Sequence, residues 1–209
     1  QKAFGAEPSF GRTINAVASF VRTLTSRNAP IDRFLKGEEG AMSANARLGF
    51  ELFQGKAGCV QCHGGPLFSD EKFHALGVPD NVEVFANPFR HFAFRRFFRT
   101  LGAPGVEGYR SDPGLYGVTK MRADWGKFRT PSLREVTRTA PYMHNGTLAT
   151  LEDVVAFYDA GGGPLPGKSQ LLRPVGLTPS EQSALVEFLK SLSGDPVVIE
   201  RPELPDYQP

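Results

Sequence analysis

The two cysteines of this chain lie in one pentapeptide, Cys59-Val60-Gln61-Cys62-His63. This C-x-x-C-H spacing puts two thiols one turn apart, where both can add to the vinyl groups of a single haem, and it sets an imidazole beneath the iron. The other interpretation is a redox dithiol of the thioredoxin kind, but that motif opens a long helix inside a βαβ unit, which the flanking sequence does not resemble. The motif therefore predicts one covalently bound haem c, attached through Cys59 and Cys62 and ligated by His63.

The composition is that of an ordinary globular protein, with 209 residues, 40% of them hydrophobic and 22% charged. A net charge of +2 is too small to indicate a nucleic acid or a membrane surface as a partner. No apolar run is long enough for a membrane span, and the chain opens with Gln1-Lys2-Ala3 rather than with a signal segment. Because haem is attached to C-x-x-C-H outside the cytoplasm, we expect an exported, periplasmic protein whose signal has been removed.

Apolar residues at helical spacing and capping residues predict a mainly α fold with long loops and no clear strand pattern. One helix is expected over residues 12–25, and a second from Ser43, which leads into the cysteine motif. Thr130-Pro131-Ser132 is typical of a helix start with proline at the first position. Two further helices are predicted from Thr150 and Thr178, each of which begins a capping-box pattern. We expect the haem to lie between the four helices that start at Ser43, Thr130, Thr150 and Thr178.

Residues 85–99 (FANPFRHFAFRRFFR) contain six phenylalanines and four arginines. On a helix, one face would be apolar, made of Phe94, Phe97, Phe98 and Leu101. The opposite face would carry His91, Arg95, Arg96 and Arg99. Such an amphipathic helix packs on its own domain, or it forms a docking surface, since phenylalanine and arginine are both common in interface cores. The sequence leaves both alternatives open.

Five stretches around the cysteine motif are informative in combination: 29–34 (APIDRF), 49–53 (GFELF), 73–77 (FHALG), 126–134 (GKFRTPSLR) and 139–146 (TAPYMHNG). In this order they resemble the C-terminal haem domain of the bacterial di-haem cytochrome c peroxidases, and more closely their MauG-like relatives. The similarity runs over about residues 12–195. It implies a mainly α, c-type cytochrome fold with long loops.

The resemblance also divides the chain. Residues 1–38 look like the last helix and the linker of an N-terminal haem domain, which in the family carries its own C-x-x-C-H. Residues 39–196 would form the cytochrome c haem domain, and residues 197–209 an extended tail. Because this chain has one such motif, the resemblance implies the second half of a split or cleaved di-haem protein. The expected partners are a chain bearing the first haem domain, or further copies of this chain, and a redox partner protein.

The family implies a peroxidase-like or MauG-like oxidoreductase. In it, this second haem would carry electrons or oxidising equivalents to or from a peroxide-reacting haem on the other half. The alternative is a mono-haem c-type electron-transfer subunit without peroxidase activity. Whether the chain is an enzyme by itself stays open, because the peroxide pocket of the family lies mostly on the missing half.

A second axial ligand of the iron is also suggested by the resemblance. Aligning the helix after the TAPY segment puts Tyr158 at the distal ligand position, which methionine fills in the peroxidases and tyrosine in MauG. A phenolate is a hard anionic donor and favours ferric iron. Other side chains of the sequence could take this place, chiefly Met143 and Met121, and beyond them Met42, His74, His91 and His144. A further alternative is a five-coordinate iron with no distal ligand.

Three more residues are assigned by the resemblance. His144 stands fourteen positions before Tyr158, where the family has a histidine near this haem; it is the candidate catalytic residue, or else a structural histidine. The family binds Ca²⁺ between its two haem domains, and the matching backbone carbonyls here are those of Thr139 and Pro141. Carbonyl oxygens suit this hard cation. The asparagine that completes the site would come from the partner.

Basic residues near the TPSLR segment are candidates for the haem propionates. Lys127, Arg129 and Arg134 could form charge-assisted hydrogen bonds with them, or they could simply make a solvated basic face. His74 is expected to be structural, with a hydrogen bond to a propionate as a further possibility.

Overall fold

The computed structural model describes residue 5 and residues 7–200. Within them the chain forms eight α-helices: α1 Phe10–Val21, α2 Pro30–Leu35, α3 Ala44–Gln54, α4 Val82–Ala86, α5 Pro88–Thr100, α6 Tyr116–Thr119, α7 Leu151–Asp159 and α8 Pro179–Lys190. Two short strands, β1 Phe73–Ala75 and β2 Lys127–Arg129, pair antiparallel. The mainly α fold is confirmed, and strands of three residues are too short to show a period in the sequence. The predicted tail from 201 onwards, and residues 1–4 and 6 of the arm, lie outside the described residues.

Of the four helix starts predicted to surround a haem, three are confirmed, and their caps explain why. The Ser43 hydroxyl accepts a hydrogen bond from the Ala46 amide and begins α3. Thr150 begins α7 and Thr178 begins α8, each through a complete capping box. These caps involve side chains and amides only three residues apart, so the local sequence is sufficient to specify them.

The helix predicted from Thr130 is wrong. Thr130 instead extends the pairing of β2 beyond its last residue, because its amide donates to the Lys72 carbonyl at 2.8 Å and its hydroxyl donates to the same oxygen at 3.3 Å. The hydroxyl is therefore engaged with a distant segment and does not cap a helix. Pro131 follows a strand, and an extended wall takes the place of the expected fourth helix.

The main core lies where α3 and α8 cross. Phe188 of α8 is fully buried, and its ring packs against Phe53 of α3 with 4.8 Å between the ring centroids. The two backbones approach most closely at Gly49, where a Cβ atom would lie 1.9 Å from the Ala184 carbonyl oxygen. A residue with any side chain would force these helices apart. Because α3 leads directly into the cysteine motif, this contact also determines where that motif lies.

The linker preceding α3 belongs to the same core. Ile31 of α2 is fully buried, and its amide donates to the Ser191 carbonyl at 3.2 Å. Arg134 donates to both carboxylate oxygens of Asp32, at 2.8 and 2.7 Å, and to the Pro66 carbonyl at 3.0 Å. This half-buried bidentate ion pair ties α2 to the loop that follows the cysteine motif.

By contrast, α1 contributes no buried residue to the described part of the chain. The predicted helix over 12–25 is observed two to four residues earlier, beginning after Ser9, whose hydroxyl accepts from the Arg12 amide. None of its residues is buried. Its apolar stripe is at least 41% exposed throughout and consists of Phe10, Ile14, Val17, Phe20, Val21 and, just beyond the helix, Leu24.

Helix α5 packs on its own domain through Phe94 and Phe98, while other phenylalanines of the helix are exposed. Phe98 is buried in a second, smaller core with Val106 and Tyr109, against which Phe94 also packs. Phe97, which was predicted on the same face, is 57% exposed instead. The outer face of α5 carries more exposed phenylalanine, at Phe89 and Phe92. The docking role of this face stays a prediction.

The close approach of α3 and α8 predicts that Gly49→Ala destabilises the chain. The new methyl group overlaps the Ala184 carbonyl, so the free energy of unfolding should fall by about 1–3 kcal/mol or more. Gly11→Ala in α1 is the matched control, since no atom lies within 4 Å of its Cβ position and alanine is the better helix former. Urea unfolding followed by circular dichroism measures both. Equal stability of the two variants would contradict the packing described.

Candidate haem site

A cleft of about 1140 Å³, its open mouth included, lies between the cysteine motif, β2, α7 and the loop that leads to α8. Most of its wall is apolar, and the aliphatic part includes Leu76, Leu133, Val154, Leu172, Val175 and Leu189. Cys59, Cys62, His63 and Tyr158 also line it. An apolar wall with a few convergent polar groups is the usual form of a cofactor site.

The cysteine motif forms a single 3-10 turn, Cys59–Gln61, that presents both thiols to the cleft. Gly58 enters the turn with a φ of 64°, in the left-handed region that favours glycine. The amides of Cys62 and His63 both donate to the Cys59 carbonyl, at 3.2 and 2.9 Å, which closes the turn. Burial raises the pKa of the Cys59 thiol to about 11 and also raises the pKa of the Cys62 thiol. Burial thus favours the neutral form of both side chains.

His63 is oriented by a hydrogen bond of its own. Its Nδ1 lies 2.8 Å from the Phe68 carbonyl oxygen, and since a carbonyl can only accept, Nδ1 carries the proton. The lone pair is then on Nε2, the nitrogen that is free to bind a metal. Burial lowers the pKa of His63, although the bond to Phe68 acts in the opposite direction. The residue is therefore held as a neutral imidazole.

Tyr158, near the end of α7, lines the cleft as well. Burial raises the pKa of its phenol, and the charge that Cys59 and Cys62 would carry as thiolates raises it further. Among the other candidate axial ligands, only His74 lines the cleft; Met42 is buried in the main core and Met121 is 59% exposed.

His74 is held by Asp70, with 2.8 Å between Nε2 and Oδ2. Burial acts to raise the pKa of Asp70, but hydrogen bonds from His74, the Lys72 amide and Thr130 outweigh it and lower the pKa to about 2. The ligand atoms of Cys62, Asp70 and His74 lie within 4.8 Å of one another. His74 thus lies beside Cys62, with its Nε2 committed to Asp70. The bond between His74 and a propionate stays a prediction.

The predicted propionate partners divide into two groups. Lys127 bonds to Asp124 at 3.1 Å and Arg134 to Asp32, and neither residue lines the cleft. Arg129 does line the cleft, and it forms an ion pair with Glu71 at 3.0 Å. Arg173 also lines the cleft, and the sequence analysis did not single it out, because a single arginine in a loop carries no signal in the sequence.

The remaining predicted residues lie away from the cleft. The His144 ring stacks on Phe128 with 3.6 Å between centroids and 14° between planes, and Phe128 lines the cleft. The Phe128 ring thus lies between His144 and the cleft. Thr139 and Pro141 are exposed, and the peptide bond between Ala140 and Pro141 is cis.

Known proteins similar to this chain include haem proteins. No family model matches the chain. It is 51% identical over 198 residues to the cytochrome-c peroxidase IdrP2 of Denitromonas iodatirespirans, which covers 95% of this chain and 53% of the relative. It is 37% identical over 207 residues to the methylamine utilization protein MauG of Methylorubrum extorquens, covering 98% of this chain and 51% of that protein.

A solved structure is similar too. A MauG-like protein associated with microbial copper homeostasis superposes with a TM-score of 0.69 at 31% identity, over 93% of this chain and 56% of that one. The chain thus spans about half the length of the curated relatives it matches. It belongs to the bacterial family of di-haem cytochrome c peroxidases and MauG proteins, and has their c-type cytochrome fold.

Proposed function

We propose that this chain is the second-haem half of a peroxidase-like or MauG-like c-type oxidoreductase, and that its cleft holds one haem c. The observation that carries the proposal is the convergence of two thiols, an imidazole with its lone pair on Nε2 and a half-buried tyrosine on one apolar cleft. Bound there, the haem supplies an iron that exchanges single electrons. The relatives are named as peroxidases or MauG, so the mono-haem electron-transfer alternative is not favoured.

The residues of the cleft fit this group in kind and in number. Cys59 and Cys62 would hold the haem through thioethers, and the aliphatic wall would exclude water from its faces. His63 would be the proximal ligand, with Phe68 fixing its orientation. Tyr158 would be the distal ligand, and a phenolate there would favour the ferric state. The catalytic role predicted for His144 stays a prediction, and its ring can influence the cleft only through Phe128.

The partner in this proposal is a polypeptide bearing the first haem. Support comes from α1, whose apolar stripe is exposed. The chain just after α1 is fixed to the main domain, because the side-chain amide of Asn28 donates to the Asp195 carboxylate at 2.7 Å. Burying each side chain of such a stripe is worth about 1.5–3 kcal/mol. Exposed stripes of this size mark interaction surfaces.

Calcium and location are part of the same proposal. The carbonyls of Thr139 and Pro141 accept no hydrogen bond from the described residues, so both oxygens are available to a Ca²⁺ shared with the partner. The periplasm is the proposed compartment, because thioether attachment of haem takes place after export. Across residue 5 and residues 7–200, no helix is both long and apolar enough to cross a membrane.

The haem itself is tested by replacing the cysteines. When the chain is produced in a host that attaches haem c, we expect one haem per chain that stays bound in acidified acetone. Cys59→Ala combined with Cys62→Ala should release it, because the thioether bonds are lost. Val60→Ala, at the exposed residue between them, is the control and should keep the haem. A wild-type chain without bound haem would refute the proposed cofactor.

The distal ligand is tested by Tyr158→Phe. The haem should stay attached, since the thioethers do not depend on this residue, while the ferric spectrum shifts towards high spin because the sixth ligand is gone. Tyr142→Phe is the control, at a half-buried tyrosine that does not line the cleft. Absorption and low-temperature EPR spectra report the change. Identical spectra of wild type and Tyr158→Phe would show that the phenol is not a ligand.

The partner is tested through the stripe of α1. The isolated chain should self-associate, because its stripe has no cover, and Ile14→Ser with Val17→Ser should make it monomeric. Asn15→Ser, between them in the sequence, should not. Light scattering measures the masses, and the haem content should be the same in all three proteins. A monomeric wild-type chain would contradict the proposal.

A further inference from the structure

The proposed haem carries two negative charges on its propionates, but few basic residues line the cleft. Of the described residues that line it, two carry a permanent positive charge, Arg129 and Arg173. A haem has an apolar ring and two carboxylates, so the position of these two guanidinium groups bears on where its acidic edge lies. This inference rests on the proposed haem.

The two arginines differ in their partners. Arg129 forms an ion pair with Glu71 at 3.0 Å, and both side chains are about half exposed. Arg173 makes no hydrogen bond and no ion pair with any residue in the described part of the chain. The nearby carboxylate of Asp159 also lines the cleft, but the Leu177 amide at 2.8 Å and the Gln182 side chain at 3.0 Å occupy its two oxygens. Arg173 is therefore a guanidinium whose hydrogen-bond donors are all available.

The backbone of Arg173 is held in place although its side chain is not. Its carbonyl carbon lies against Gly161, where a Cβ would be only 2.7 Å away. Two residues later, the Val175 amide donates to the Asp159 carbonyl at 3.0 Å. The Lys168 ammonium donates to the Gly161 carbonyl at 2.6 Å and fixes the other end of the loop. The loop is thus anchored to the end of α7, the helix that carries Tyr158.

From this arrangement we infer that Arg173 binds a propionate of the haem. A guanidinium pairs with a carboxylate through two parallel hydrogen bonds, which a fixed backbone and an uncommitted side chain permit. The exposed position of Arg173 agrees with this role, because the acidic edge of the haem would face solvent while the ring is covered by the aliphatic wall. The same loop would then position both the propionate edge and, through α7, the distal ligand.

The consequence is electrostatic. A positive charge beside the haem favours the reduced iron, which carries one positive charge less than the oxidised iron. Removing that charge should lower the midpoint potential. Losing the contact should also change the propionate bending vibration, which resonance Raman spectroscopy detects directly.

The experiment compares Arg173→Gln and Arg173→Lys with wild type, all as haem-loaded protein. Arg96→Gln is the matched control, since Arg96 is another exposed arginine without a hydrogen bond or ion pair among the described residues, and it lies on α5 outside the cleft. We expect Arg173→Gln to lower the potential and to shift the propionate band. Arg173→Lys should restore most of the potential, and Arg96→Gln should match wild type in both measurements.

Two results would overturn the inference. One is a wild-type potential and propionate band in Arg173→Gln. The other is a lowered potential with an unchanged band, because a charge acting only through space needs no contact. A wild-type chain that binds no haem at all would instead refute the proposed function, so the two failures are distinguishable.

Discussion

The contact between α3 and α8 at Gly49 is the constraint on which the site depends. Because glycine has no side chain, the α3 backbone can reach the Ala184 carbonyl, and Phe53 can pack on Phe188. The Ala57 amide donates to the Leu52 carbonyl and so continues α3 into the turn that carries the cysteines. The position of both thiols is thus set by helix packing rather than by the motif itself. A wider separation of the helices would carry Cys59 away from Tyr158.

Desolvation is the second common factor of the site. It raises the pKa of the two thiols and of the Tyr158 phenol, and it lowers the pKa of His63. All four groups are therefore favoured in their neutral forms, as an apolar cleft requires. The charged groups near the motif are paired instead, Asp70 with His74 and Arg134 with Asp32. Arg173 is the exception, because it is a charged residue of the cleft without a partner among the described residues.

The sequence predicted the features that depend on neighbouring residues and missed those that depend on distant ones. Caps at Ser43, Thr150 and Thr178 were predictable because each cap is completed within three residues. Thr130 was not, because its hydroxyl and amide are taken by Lys72, which is far away in the chain. The same reason explains the basic residues. Whether an arginine meets a carboxylate or faces the cleft is decided by contacts such as that between Gly161 and the Arg173 backbone, which no local pattern encodes.

The exposed apolar stripe of α1 supports the proposal that this chain acts together with a partner polypeptide. A helix with no buried residue has no tertiary packing to stabilise it, and twelve residues are marginal for a helix on their own. Yet the chain immediately after α1 is fixed, since the Asp195 amide donates to the Arg27 carbonyl at 2.9 Å. The main domain therefore holds the base of α1 and leaves its apolar stripe outside. A first-haem domain that covered this stripe would supply the missing packing, and it would reach the main domain close to α2 and its ion pair with Arg134. That ion pair connects α2 to the loop after the cysteine motif, so the same contacts would tie the position of the partner to the haem cleft.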